Sequence, residues 1–311
     1  MRNLLIILLF CCCSCTKEVY LFTSFHEPAN EGLRFLYSTD GYHWKDLGST
    51  FLKPEAGAQK VMRDPSIARG PDGVYHLVWT SSWKGDKGFG YAFSKDLVHW
   101  SPQQMINVMA HEPDVVNVWA PEIFYDEQGQ QFIIIWASTV PYRFPKGTEE
   151  ENNNHRMYYT LTKDFVNFSE AKLFLDPGFS VIDAVIARRR SDGYVLVLKD
   201  NTRANRNLKV AFSPELTGPY TNISAPFSGK LTEGPSVVQV GQDWLIYYDA
   251  YGEKRYAAYR TRDFKSFTDI SAEIDIPAGH KHGTVFKSSR RILKGLQQQA
   301  NQKLHPANER Q

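Results

Sequence analysis

The 311-residue chain is poor in cysteine and places all four before residue 16, at Cys11, Cys12, Cys13 and Cys15. A core stapled by disulfides is therefore excluded for everything downstream. Charge of one sign is not in excess either. With 36 basic and 34 acidic residues, no net field points to nucleic acid or to a strongly acidic partner. No apolar run approaches the ~20 residues needed to span a bilayer. A glycine-rich phosphate loop, a Ser-His-Asp elbow and zinc-spaced Cys/His pairs are also missing.

What the N-terminus does have is one basic residue, an apolar run from Leu4 to Cys13 and a small-residue exit, the pattern of a secretory signal. The cluster "CCSC", with Ser14 before Cys15, resembles a bacterial lipobox. The expectation is that residues 1–14 are removed and Cys15 is lipidated. That would leave no second cysteine and put the protein at the bacterial cell envelope, facing the periplasm or the outside. A plain secretory signal or an uncleaved anchor is the alternative.

Aromatics are abundant, with 16 Tyr, 19 Phe and 7 Trp, which suits strands and also stacking on sugar rings. A short phrase recurs five times: Ser or Thr, an acid two residues on, then an aromatic. Its acids, Asp40, Asp96, Asp164, Glu215 and Asp263, are spaced by 56, 68, 51 and 48 residues. A second phrase recurs in register with it, as "RDPSIA", "WAPEIF", "IDAVIA", "EGPSVV" and "KHGTVF". Each of the first four precedes a strand-like run, "VYHLVWTS", "QFIIIWAS", "YVLVLKD" and "DWLIYYDA". Four strands per repeat around an axis predict an all-β, five-bladed propeller. The fifth repeat is split between the chain ends, so "HKHGTVF" is expected to pair with "VYLFTSF" and close the ring, leaving no open edge. The expected organisation is a signal over 1–14, one propeller over 15–287, and a polar tail over 288–311, loose or a frayed helix.

In a propeller the innermost strands open on one face, and the loops after the second strands reach the same face. The inner starts carry Asp64, Glu122, Asp183, Glu233 and His282. Carboxylates crowded near an axis repel one another unless some are protonated or paired, so function explains such a ring better than folding does. Two carboxylates across a pocket can split a glycosidic bond, one giving a proton to the leaving oxygen and one activating water. A third acid would raise the donor's pKa. Asp64, Asp183 and Glu233 have the identities for that trio. Trp83, Trp119, Tyr142 and Tyr251 are placed to stack on a sugar at the mouth. The insertion 141–155 leans over the mouth, as a pocket wall or a solvated hairpin.

The phrases "RDPSI", "WAPEI", "IDAVI" and "EGPSV", in that order and in register with "KHGTV", resemble glycoside hydrolase family 43 over essentially the whole mature chain. The resemblance implies a five-bladed propeller and an inverting, exo-acting glycosidase. It implies Asp64 as general base, Glu233 as general acid and Asp183 as the group that tunes and orients the acid. Trp83, Trp119, Glu122 and His282 are expected to bind substrate. His282 resembles an axial histidine that in some relatives faces a calcium through water, the alternative to a hydrogen-bonding role; no cofactor is expected for the chemistry. The sequence departs from the commonest pattern at Ala184 and in the loop "SFHEPANEG", where His26 or Glu27 would shape the pocket. The implied substrates are oligo- or polysaccharides, with terminal α-L-arabinofuranose or β-D-xylose first. A galactan-directed galactosidase and a non-catalytic glycan-binding propeller are the alternatives. Membrane contact is expected only through the N-terminal lipid, and oligomeric state is open.

Overall fold

The computed structural model describes residues 18–189 and 192–304, so the expectations at Cys15 and at the signal segment lie outside the described residues. Nineteen strands form five sheets, one per blade of a propeller. The inner strands of blades two to five are Arg63–Arg69, Trp119–Asp126, Val181–Arg189 and Glu233–Val240. The second strands are Tyr75–Thr80, Gln131–Ser138, Gly193–Asp200 and Asp243–Ala250, the runs expected from the sequence. Their side chains are almost continuously buried, because each blade packs a neighbour on both faces. The hydrophobic clusters accordingly lie between adjacent blades, as with Ile135, Val181 and Leu196 between blades three and four.

Blade one closes the ring. Val285–Ser289 pairs antiparallel with Glu18–Ser24, from Glu18 opposite Ser289 to Phe22 opposite Val285. Leu33–Ser38 and Lys45–Leu52 complete that sheet. The split repeat thus closes as expected, and both chain ends lose their free edge.

One irregularity is repeated around the ring. Each inner strand of blades two to five slips register just after the first residue of its repeated phrase: between Arg63 and Ser66, Trp119 and Glu122, Ile182 and Val185, Glu233 and Ser236. The residue after the first carries a positive φ each time: Asp64 at 52°, Ala120 at 45°, Asp183 at 50°, Gly234 at 56°. This is a bulge, which leaves residues unpaired and turns their side chains toward the axis.

The Ser-x-Asp phrases are the turns on the opposite end of the blades. At Asp40, Asp96, Asp164 and Asp263 one carboxylate oxygen accepts two successive backbone N–H groups. These are Asx turns, and the acid two residues after Ser or Thr is their requirement.

Two expectations needed correction. Blade four has three strands, not four. Residues 221–227 do run beside Asn207–Ser213, with Thr221, Ser224 and Phe227 donating to Phe212, Val210 and Leu208. Pro226 offers no N–H, and the Ser224 and Ser228 hydroxyls, not carbonyls, accept from Val210 and Leu208. The C-terminal segment is a packed helix, Arg290–Leu304, and not a loose tail. Ile292, Leu293, Leu296 and Ala300 lie on one face and are buried against blades one and two. Among the described residues, no helix is long and apolar enough to cross a membrane.

Candidate active site

The bulges sort the axial residues into three depths. The first residues of these phrases, Arg63, Trp119, Ile182 and Glu233, line a pocket of ≈ 510 Å³ at the mouth. The second residues, Asp64 and Asp183, form its floor together with His282 and also border a narrow channel beneath. Glu122 is the fourth residue of its phrase and lines only that channel, which has ≈ 20 Å³ of space. Asp64, Asp183 and Glu233 therefore meet in one pocket, whereas Glu122, expected to bind substrate, lies below it.

Each buried acid has a compensating partner, which is how the ring tolerates its own charge. Burial alone would push Asp64 up, but His282 Nε2 at 3.0 Å, Arg63 and the Thr80 hydroxyl at 2.8 Å hold it down at about 2. The same contact works on the imidazole. Burial would lower His282, and the Asp64, Asp183 and Glu233 charges raise it to about 9. Its side chain sits against Gly234, where an added Cβ would come within 2.1 Å of the His282 Cβ.

Lys199 is the group that sequence reasoning missed. It is the penultimate residue of the second strand of blade four, opposite Ile182, and donates to Glu233 Oε2 at 2.7 Å while lying 3.9 Å from Asp183 Oδ2. Burial pushes Glu233 up, and this ammonium outweighs it and brings the pKa below the ordinary value. Asp183 moves the other way, raised chiefly by burial, with Glu233 and Asp64 adding to it. The expected effect of a third acid, a raised Glu233, is thus reversed in the substrate-free pocket, because a full charge at hydrogen-bond distance exceeds the repulsion from Asp183. Thr80 and Asp249 hold the equivalent place in their blades, opposite Arg63 and Glu233. A charged or polar residue ending an apolar second strand was the signal available.

Glu122 is pushed up by burial to about 7, against hydrogen bonds from Ser66 and Thr284. The channel does not fit a calcium facing His282 through water. A volume of ≈ 20 Å³ holds about one water, a hydrated calcium needs 6–8 oxygen ligands, and His282 Nε2 is engaged by Asp64. Of the two readings of His282, the geometry displays the hydrogen-bonding one.

The rim is aromatic on one side. Trp83, 47% exposed, packs edge-on to Trp119 at 5.8 Å, and the Arg63 guanidinium lies 4.0 Å over the Trp83 ring. Arg63 is also bonded to Glu27, which lines the pocket; His26 does not. Tyr251 also lines the pocket, but Tyr142 does not and is 85% exposed. The insertion contributes a wall through Asn153. Buried Glu149 fixes it, accepting from Asn153 Nδ2 at 2.7 Å and from the Arg203 amide at 2.9 Å.

A five-bladed propeller with an acidic, aromatic-rimmed axial pocket defines a class, the propeller glycosidases. The chain belongs to the family described as "probable glycosyl hydrolase domain", related to glycoside hydrolase family 43, whose model matches residues 16–291. An α-L-arabinofuranosidase of Bifidobacterium longum subsp. longum is 22% identical over 223 residues, 58% of this chain and 21% of that protein. The chain thus spans about a fifth of the curated relative. A thermostable family-43 glycoside hydrolase superposes with a TM-score of 0.55 at 15% identity, covering 72% of this chain and 78% of the other. A family-43 β-1,3-galactosidase does so with 0.53 at 11%, covering 70% and 79%. These likenesses carry the fold and leave the sugar to the pocket.

Proposed function

We propose that the protein is an exo-acting, inverting glycosidase that removes terminal α-L-arabinofuranose from polysaccharide side chains, with β-D-xylose the second choice. The observation that carries this reading is the convergence of Asp64, Asp183 and Glu233 on one blind pocket. A pocket of ≈ 510 Å³ closed below by a channel of ≈ 20 Å³ admits a chain end and stops a chain from threading through. The arabinofuranosyl preference draws on the name of the curated relative.

In this mechanism Asp64 is the base. Held at about 2, it is ionised at neutral pH and takes a proton from the water that attacks the anomeric carbon. Glu233 gives a proton to the leaving oxygen as that bond breaks. One displacement by water inverts the anomeric centre. Lys199 favours the ionised form of Glu233, burial favours the neutral form of Asp183, and the two carboxyls, both lining the pocket, affect each other's titration. A sugar hydroxyl that accepts from Lys199 loosens its hold, and Glu233 then gains the proton. Attachment to the cell envelope through Cys15 completes the proposal and draws on the N-terminal sequence alone.

The test is hydrolysis of aryl α-L-arabinofuranoside, β-D-xyloside and β-D-galactoside, with the product anomer read by NMR. The expected result is release of arabinose with inversion. Asp64→Asn should lose ~10²–10⁴-fold on every substrate, and Glu233→Gln should lose a similar factor on natural glycans but little on aryl glycosides. Cleavage of the galactoside alone would replace the sugar assignment. Glycan binding without turnover would replace the enzyme reading, and an Asp183→Asn enzyme with the pattern expected of Glu233→Gln would exchange the two roles.

A further inference from the structure

Beside the pocket, and not part of it, three potential ligands from distant parts of the chain meet. His26 lies in the loop after the first strand of blade one, Asp46 at the start of its third strand, and His280 just before the closing strand. Their donor atoms all lie within 4.8 Å of one another. The two imidazoles meet edge to face with centroids 4.5 Å apart.

The hydrogen bonds place a proton on one ring nitrogen of His280. The Ser24 hydroxyl donates to Lys281 O at 2.8 Å, so its oxygen is the acceptor for His280 Nδ1 at 3.1 Å. His280 therefore carries a proton on Nδ1, and in the neutral ring Nε2 is a bare lone pair. That nitrogen lies 3.4 Å from Asp46 Oδ2, placed to ligate beside the carboxylate when bare or to donate to it when protonated. His26 Nε2 is buried and has no hydrogen-bond partner. A carboxylate and two imidazole nitrogens turned on one point, one of those nitrogens buried without a partner, suit a cation between them. Arg34 does not fill that place: its Nη1 is 3.9 Å from Asp46, and its Nη2 is held by Glu31 at 2.8 Å.

We propose that His26, Asp46 and His280 bind a zinc-class divalent transition-metal ion that fastens the two ends of the chain where the ring closes. Two imidazoles and one carboxylate suit a borderline d-block ion and not calcium, which takes oxygen ligands. Donors about 2.0–2.2 Å from a zinc stand roughly 3.3 Å apart in a tetrahedron, so the cluster closes by up to about 1.5 Å on binding. His26 can supply that movement, since it sits on a loop and is only half-buried. Ser24 is the outer partner that orients His280, the usual companion of a metal-bound imidazole. The fourth position is left to water. The ion would bridge positions 254 residues apart and steady the loop that carries Glu27 as well as the segment leading to Lys281 and His282. The proposal does not depend on which glycoside the pocket cleaves.

The test uses the full chain, stripped with a chelator and dialysed against zinc, then read by elemental analysis and by thermal unfolding. Cobalt(II) replaces zinc for visible absorption. The wild type should retain one zinc per chain, melt higher with zinc present, and give a cobalt spectrum with nitrogen ligands. His26→Gln and Asp46→Asn, both outside the apolar core, should weaken zinc more than about tenfold and abolish the thermal gain. Absence of retained zinc in the wild type, or equal retention by both variants, would overturn the site; in the first case a proton on His280 Nε2 bridges to Asp46 instead.

Discussion

Lys199 reaches Glu233 at 2.7 Å from the last turn of a strand whose other inward residues are apolar. At this scale the pocket is a set of matched charges: Lys199 with Glu233, His282 with Asp64, Lys281 with Asp249 at 2.9 Å. Removing one partner leaves the other buried and uncompensated. Lys199→Met therefore has a defined sign. The ammonium lowers Glu233; without it, Glu233 keeps its proton to higher pH. The alkaline limb of the kcat/KM profile, which follows loss of the donor's proton, should move up by about 1–3 pH units. The acid limb follows Asp64, held at about 2 by His282 and not by Lys199, and should stay in place. A full pH profile on an aryl glycoside measures both limbs. An alkaline limb that does not move would mean that Lys199 leaves the proton donor unaffected.

The inner strand with its bulge is the element that makes the site. Gly234 shows why the bulge is specific at one position and permissive at another. At φ 56° its missing Cβ leaves room for the His282 Cβ, 2.1 Å away from where a side chain would begin. Gly234→Ala should cost about 1–3 kcal/mol and displace His282, so activity falls with stability. Ala120 occupies the equivalent place with φ 45° and already carries a Cβ. Ala120→Gly should be neutral or mildly stabilising, since it relieves a left-handed residue. Chemical denaturation of the two variants compares them directly; a gain from Ala120→Gly as large as the loss from Gly234→Ala would put the effect in φ and not in the His282 contact. The element also marks the limit of what the sequence makes legible. Strand runs and blade order follow from the repeated phrases, and Asp64, Asp183 and Glu233 follow from their place in them. The depth of each acid does not, because a bulge consumes residues without leaving a sign in composition. Glu122 therefore reads as a fourth member of the ring although it lies in the channel. Lys199 was hidden for a different reason: it lies 34 residues before Glu233, in the neighbouring blade.

At the scale of the molecule, a propeller is held by its last contact, and here that contact has two layers. The closing strand Val285–Ser289 completes blade one, and the helix Arg290–Leu304 covers the seam between blades one and two. The strand was legible because its phrase belongs to the repeat. The helix was expected only as a frayed alternative, and its packing was not legible, because Gln, Asn and basic residues outnumber the four apolar residues that form its buried stripe. Two truncations separate the layers. Ending the chain after Ser289 removes Ile292, Leu293 and Leu296 from the core, at about 1.5–3 kcal/mol each. The melting temperature should fall by on the order of 10 °C. Turnover at 25 °C should persist, because no helix residue lines the catalytic pocket. Ending the chain after Gly283 keeps His282 but removes the strand, exposing the edge of Glu18–Ser24. A free apolar edge invites pairing with other chains, so this form should aggregate and lose activity although every candidate catalytic residue is still present. Thermal unfolding, size-exclusion chromatography and aryl-glycosidase rates on the two forms decide the matter. If the shorter form stays monomeric and active, the inner strands hold the pocket without ring closure, and the split repeat is a feature of chain order alone.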